Sequence, residues 1–307
     1  MRLFLLFPFY LMAVNEAVWT KENLAPFREL MFSWNAPRPS QGEYLFSVRV
    51  YTDAWSPWIT YASWGSQGQK SFADTATDLS VRGYQDIVEI LNNAEATGVQ
   101  IRVVAEGGAP LDKIHGLHVY TDGVKKLEPQ IVNRSRVELL VPGISQMRLD
   151  HERHRDLCSP TATTAVVRYL SQNEAVDPVH FAQNVWDGGF DIFGNWVFNV
   201  AQAANVLGEK WDCWVDRLIS FDAILERLHQ GTPVVVSVRG PLAGSAQPYA
   251  KGHLLAVTGY DPEEKKVLCM DSAFPTDAET HVMYDLEDFV TAWGRRGNLA
   301  YLFSKKP

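Results

Sequence analysis

The chain is short of cysteine, of basic residues and of long hydrophobic runs, and each shortage bears on what it can be. Three cysteines in 307 residues settle nothing about redox compartment. With 46% hydrophobic and 21% charged residues, a core forms without metal or disulfide staples. Acidic residues outnumber basic ones, 36 to 28, for a net charge of −8. That balance argues against a nucleic-acid partner, because phosphate binding needs a basic face. No segment reaches the roughly 18 apolar residues of a membrane-spanning helix, so no membrane span is expected. No internal repeat or low-complexity tract is visible. The length is long for one compact domain and comfortable for two.

Residues 1–17 admit two readings. Arg2 followed by Leu3 to Val14 has the charge-then-apolar layout of a secretory signal, which implies export. A cut after Ala17 puts Asn15 where a small residue is preferred. The other reading is a buried first strand, in which case the protein is cytoplasmic.

Residues 18–124 read as strands. Tyr44 to Tyr51 alternates, with Phe46, Val48 and Val50 on one face. Val99, Ile101 and Val103 repeat the pattern, and Gly65, Gly68, Gly83 and Gly98 punctuate it. Short strands without long amphipathic helices predict a β-sandwich. Its aromatic residues (Trp34, Trp55, Trp58, Tyr61 and Trp64) fill the core or form a ligand face for a carbohydrate or a peptide. Polar residues make 125–137 a linker. Beyond it, 138–307 reads as a second unit, able to fold alone. There the spacing predicts helices over Thr161–Leu170, over Asn195–Leu207 closed by Gly208, and over Phe221–Gln230 capped by Ser220. Strands are predicted over 233–238, 254–260 and 266–271. The fold class is α+β: an N-terminal β-sandwich followed by a helix-then-strand domain.

The chemistry gathers in that second unit. Cys158 precedes Ser159-Pro160 at a helix start, where dipole and free N–H groups favour a thiolate. His253 follows Gly252 at the head of one strand, and Asp271 ends the next. A turn centred on Pro262–Glu263 makes opposed residues sum to about 525, which sets His253 across from Asp271. Nucleophile, base and orienting acid is the general triad logic. His151, His154 and Cys158 imitate a metal cluster, but no CxxC is present and Arg153 and Arg155 intervene, so a polar loop is the better reading. Cys213 and Cys269 could pair, but buried reduced thiols are the better reading. No metal or organic cofactor is needed.

Several strings carry a family resemblance. Val141-Pro142-Gly143-Ile144-Ser145-Gln146 followed by Cys158-Ser159-Pro160-Thr161 resembles the opening of the bacteriocin-leader-processing (double-glycine) cysteine peptidases and their papain-fold relatives. Gly194-Asn195-Trp196, Gly252-His253-Leu254-Leu255 and Met270-Asp271-Ser272 look like the later motifs, in the order Cys, His, Asp. The segment from Tyr284 to Trp293 also fits. The resemblance covers about 138–307 and implies a papain-like cysteine peptidase acting on a peptide or amide bond. It places Cys158, His253 and Asp271 in the triad and suggests Gln146 as side-chain donor of the oxyanion hole. Twelve positions separate Gln146 from Cys158, a wide gap for such enzymes, and Ser159 stands where many relatives have Gly. With no ATP-binding cassette visible, a transporter-coupled role does not carry over. An amidase or acyltransferase could use the same residues, and a degenerate ligand-binding protein is the rival from another class.

Overall fold

A computed structural model describes residues 15–123 and 135–306. The apolar run 3–14 and the linker residues 125–134 lie outside the described residues.

Among the described residues 15–123 there are ten strands: β1 (Glu16–Lys21), β2 (Glu29–Asn35), β3 (Glu43–Tyr51), β4 (Ile59–Gly65), β5 (Gly68–Ser71), β6 (Ala73–Thr75), β7 (Val81–Tyr84), β8 (Ile87–Ile90), β9 (Gly98–Glu106) and β10 (Gly116–Thr121). They form two five-stranded antiparallel sheets, ordered β1-β9-β3-β4-β5 and β10-β2-β8-β7-β6. Ala17 pairs with Val103 inside the β1–β9 ladder, so the cleavage point considered above falls within a paired strand. Alternation works as the pattern predicts: Phe46, Val48 and Val50 of β3 are buried, as are Val99, Ile101 and Val103 of β9. The two sheets meet through aromatic rings. Trp34 stacks on Phe46 at 4.2 Å and Phe32 on Tyr61 at 4.1 Å between centroids. Trp34, Tyr61 and Trp64 are thus core residues, while Trp55 and Trp58 are half-buried beneath Arg49.

The second part holds β11 (Val137–Glu138), α1 (Cys158–Ser171), α2 (Pro178–Gln183), α3 (Trp196–Leu207), β12 (Trp211–Arg217), α4 (Phe221–His229), β13 (Val234–Val238), β14 (His253–Asp261), β15 (Lys266–Met270), β16 (His281–Asp285), α5 (Leu286–Gly294) and β17 (Leu299–Lys305). Its strands form one antiparallel sheet ordered β12-β17-β13-β14-β15-β16, with β11 joined to β14. Because side chains alternate across a strand, β14 serves two layers. Leu254 and Ala256 join the core with α1 and α3, whereas Leu255 and Val257 join the core with α4 and α5. The chain is a mixed α+β protein with several sheets. Asn195 caps α3 by accepting from the Phe198 N–H at 3.2 Å, and Gly208 closes it with φ +78°. Ser220 stands at the cap of α4, but its side chain makes no capping bond.

The core does not stop at the expected boundary. Phe198 of α3 packs against Trp34 at 5.9 Å and Trp64 at 6.2 Å, rings supplied by the N-terminal sheets. Ser71 donates its N–H to the buried Asp187 at 2.9 Å, and Asp86 accepts the Trp196 N–H at 2.7 Å. Helix α3, which flanks α1, is therefore held from the N-terminal side at both its flank and its first turn.

Candidate active site

Helix α1 begins at Cys158. Leu157, at the cap position, has no side-chain oxygen to offer the first turn, and Pro160 has no N–H of its own. The first-turn donors of α1 are thus left to whatever forms at Cys158. The thiol is half-buried and lies beside the His253 imidazole, with the N–H groups of Leu254 and Ser159 near it. Burial alone would push the thiol up. The hydrogen bond and charge of His253, helped by the two N–H groups, outweigh it and lower the pKa. At Cys213 and Cys269 burial, joined by the charges of Asp212 and Asp271, pushes both thiols well up.

His253 is the first residue of β14, and Gly252 before it has φ +103°. A Cβ at Gly252 would meet nothing closer than 3.5 Å, so the backbone angle, rather than crowding, calls for glycine. The imidazole Nε2–H donates to Asp271 Oδ1 at 2.8 Å. This leaves Nδ1 as the nitrogen available to the sulfur. Burial alone would lower the imidazole, but the charge and hydrogen bond of Asp271, followed by those of Cys158, raise its pKa to about 10. Asp271 is fully buried. Burial would raise its carboxyl, and His253, Tyr284 and the Ala273 N–H bring it below the usual range instead.

The meeting of His253 and Asp271 differs in detail from the hairpin estimate. The turn pairs Asp261 with Lys266, and a register shift between Val257 and Gly259 then sets Val257 opposite Cys269 and Ala256 opposite Met270. Continued outward, that register places Asp271 across from Leu255, two residues from His253. The two side chains share a face as diagonal neighbours and close the remaining gap directly.

The profile of the Peptidase_C39 like family matches residues 138–301, more than half of the chain. The chain belongs to this family. No curated protein and no solved structure matches it.

Membership of the Peptidase_C39 like family supports a cysteine peptidase in general and implies a peptide substrate. Within the matched region the structure brings Cys158, His253 and Asp271 together. Gln146 is also buried there, but its amide is engaged. Nε2 donates to the carbonyls of His154 at 3.1 Å and Arg155 at 2.9 Å, while Oε1 accepts the Ser272 hydroxyl at 2.7 Å. Gln146 thus ties the segment entering Cys158 to the residue after Asp271, with both amide hydrogens in use.

Sequence reasoning missed two tyrosines. Tyr249 donates its hydroxyl to Asp271 Oδ2 at 2.8 Å, and its ring stacks on His253 at 4.1 Å with 13° between planes. Tyr284 donates to the same oxygen at 2.7 Å. Tyr249 is the one aromatic ring in the polar stretch 239–252, and that isolation was the available signal. His151 packs edge-on against Phe193, and Arg153 bonds to Asp156 and Asp191. Among the described residues no group of three or more His, Cys, Asp or Glu is placed to hold a metal. Among the described residues, too, no helix is long and apolar enough to cross a membrane.

Proposed function

We propose that the chain hydrolyses a peptide or amide bond through a Cys158–His253–Asp271 triad on a papain-like arrangement, in which a helix N-terminus presents the nucleophile to the end of an antiparallel sheet. The observation that carries this reading is the 2.8 Å contact of His253 Nε2 with Asp271, which leaves Nδ1 for a thiol at a helix start. His253 takes the Cys158 proton, and the thiolate attacks the carbonyl carbon. The tetrahedral oxyanion develops at the start of α1, where the Cys158 N–H can stabilise it. His253 then protonates the leaving amine, and the acyl-enzyme forms. Water, deprotonated by the same imidazole, attacks the thioester and releases acid product and thiol.

Gln146 could serve as the side-chain oxyanion donor only by releasing one amide hydrogen from the carbonyls of His154 or Arg155. In this reading its first task is to shape the segment that delivers Cys158. Residues 138–307 carry the chemistry. Residues 18–124 act as an accessory unit that holds α3 against it.

The test is labelling of the full chain with an electrophilic cysteine-hydrolase probe, followed by mapping of the modified residue and assay of a peptide library. Adduct on Cys158 with cleavage abolished by Cys158→Ala is expected. Adduct elsewhere, or cleavage that survives Cys158→Ala, overturns the proposal.

A further inference from the structure

We infer that Tyr249 and Tyr284 are positioning residues for the Cys158–His253 pair, fixing through Asp271 and through the Tyr249 ring the plane in which the imidazole faces the sulfur. The inference rests on the peptidase reading above and goes beyond the three residues that reading uses.

An ionised carboxylate offers about four acceptor directions. At Asp271 all are taken. Oδ1 receives His253 Nε2–H at 2.8 Å and the Ala273 N–H at 3.0 Å. Oδ2 receives the hydroxyls of Tyr249 and Tyr284 at 2.8 and 2.7 Å. Held from both sides, the carboxylate cannot rotate, and His253 Nε2 keeps one partner in one direction. Burial and the neighbouring carboxylate raise both phenols far above their usual range, so they remain donors at any working pH.

Tyr249 does more than donate. Its ring lies nearly parallel to the imidazole at 4.1 Å and closes one face of it. The backbone reaches this position at a conformational cost. Tyr249 has φ +49°, a left-handed angle that is an outlier for a bulky residue. The angle is fixed by its carbonyl, which accepts the N–H of Gly240 at 3.2 Å and of Gly252 at 3.0 Å. Strain of this kind persists only where surrounding structure over-determines it, and here it seats a ring on the proposed base.

The experiment uses the full chain as wild type, Tyr249→Phe and Tyr284→Phe, together with a chain carrying fluorotyrosine at 249. Two profiles are measured against pH: alkylation of Cys158 by iodoacetamide, and kcat and KM for a cleaved peptide. Loss of one hydroxyl leaves Asp271 with a weaker hold on its charge, so the acidic limb should move up by about one pH unit. In the same variants kcat should fall about tenfold with KM nearly unchanged. Fluorotyrosine is a stronger donor of the same shape, and it should move the limb down even if a Phe variant fails to fold. Unmoved limbs in the folded Phe variants and in the fluorotyrosine chain overturn the inference while leaving the peptidase reading intact. An ordinary thiol profile for wild-type Cys158 removes that reading, and this inference with it.

Discussion

The side chain of Asn35 holds both backbone groups of Cys213, accepting its N–H at 2.7 Å and donating to its carbonyl at 2.7 Å. A residue of β2 thereby continues the hydrogen bonding of β12 across the two halves of the chain, with the Val215 N–H bonded alongside to Ser33 Oγ at 3.0 Å. Removing Asn35 orphans two buried backbone groups, each worth about 1–3 kcal/mol. Asn35→Ala should lower the midpoint of urea unfolding markedly, and both halves should still unfold in one transition. Separate transitions by tryptophan fluorescence and by circular dichroism, already present in wild type, would show that the halves are not coupled.

The same interface bears on the proposed division at 125–137. Residues 138–307 alone expose Phe198, Val215 and the Cys213 backbone, all buried in the full chain. Losing the cover of a Phe ring costs about 1.5–3 kcal/mol. We expect that fragment to bind a hydrophobic dye and to melt without a cooperative transition until residues 15–123 are co-expressed with it. A cooperative melt of the fragment alone, with Cys158 still reactive, would establish an independent domain.

Cys158 should react with iodoacetamide at neutral pH far faster than Cys213 or Cys269. Its thiol is lowered by His253, while burial raises the other two. Its rate should hold below the ordinary thiol pKa of about 8.5. Peptide cleavage should fall again as pH rises through about 10, where His253 loses the proton that the leaving amine needs. Mass mapping of the alkylated sites settles the first point. Equal modification of the three in folded protein would remove Cys158 from its role.

Asp271→Asn should keep the fold and slow turnover, since an amide no longer enforces the imidazole tautomer. Related triads lose up to about four orders of magnitude, and a smaller loss is expected under the proposed papain-like arrangement, where Asn is tolerated. His253→Ala should cost more, and the double variant little beyond His253→Ala, because both changes disable one unit. Acylation by a small thiol-reactive ester is the measurement. Full activity in Asp271→Asn would take the acid out of the site, and neither Asp277 nor Asp261 stands ready to replace it. Asp277 accepts the Ser145 N–H, and Asp261 accepts those of Glu263 and Glu264.

Gln146→Ala separates its two roles. A pure oxyanion donor affects acylation, typically by about 100- to 1000-fold, but not alkylation, in which no oxyanion forms. Because both amide hydrogens hold the approach to Cys158, we expect alkylation and acylation to fall together. Normal alkylation with slow acylation would assign Gln146 to the oxyanion.

Asp86 gives the interface a pH dependence. Its carboxyl is desolvated by burial, which outweighs the Trp196 N–H bond, and its pKa rises to about 7, with Asp187 and Arg296 as charged neighbours. A raised acid keeps its proton longer when folded, so stability is complete below the unfolded value of about 3.9 and is lost as pH rises towards 7. The full effect is at most about 4 kcal/mol. Asp86→Asn, which keeps an acceptor for Trp196, should melt above wild type at pH 8 and level with it at pH 4. Equal melting at both values would mean that Asp86 titrates normally.

Local pattern was enough to set Cys158 at a helix start and His253 at a strand entry. A proline just after a cysteine marks a helix start, and a glycine before a histidine marks a strand entry, whatever the rest of the chain does. Asp271 was within reach because a hairpin constrains which residues share a face. The turn position and the register shift at Val257–Gly259, however, moved its partner by two. The use of Gln146, the ring of Tyr249 over His253 and the grip of Asn35 on Cys213 could not be read in the same way. Each depends on where a side chain points after segments distant in sequence have packed. Hydrophobic periodicity specifies which face of an element is buried, but the partner of a buried polar group is chosen only when the last donor and acceptor arrive.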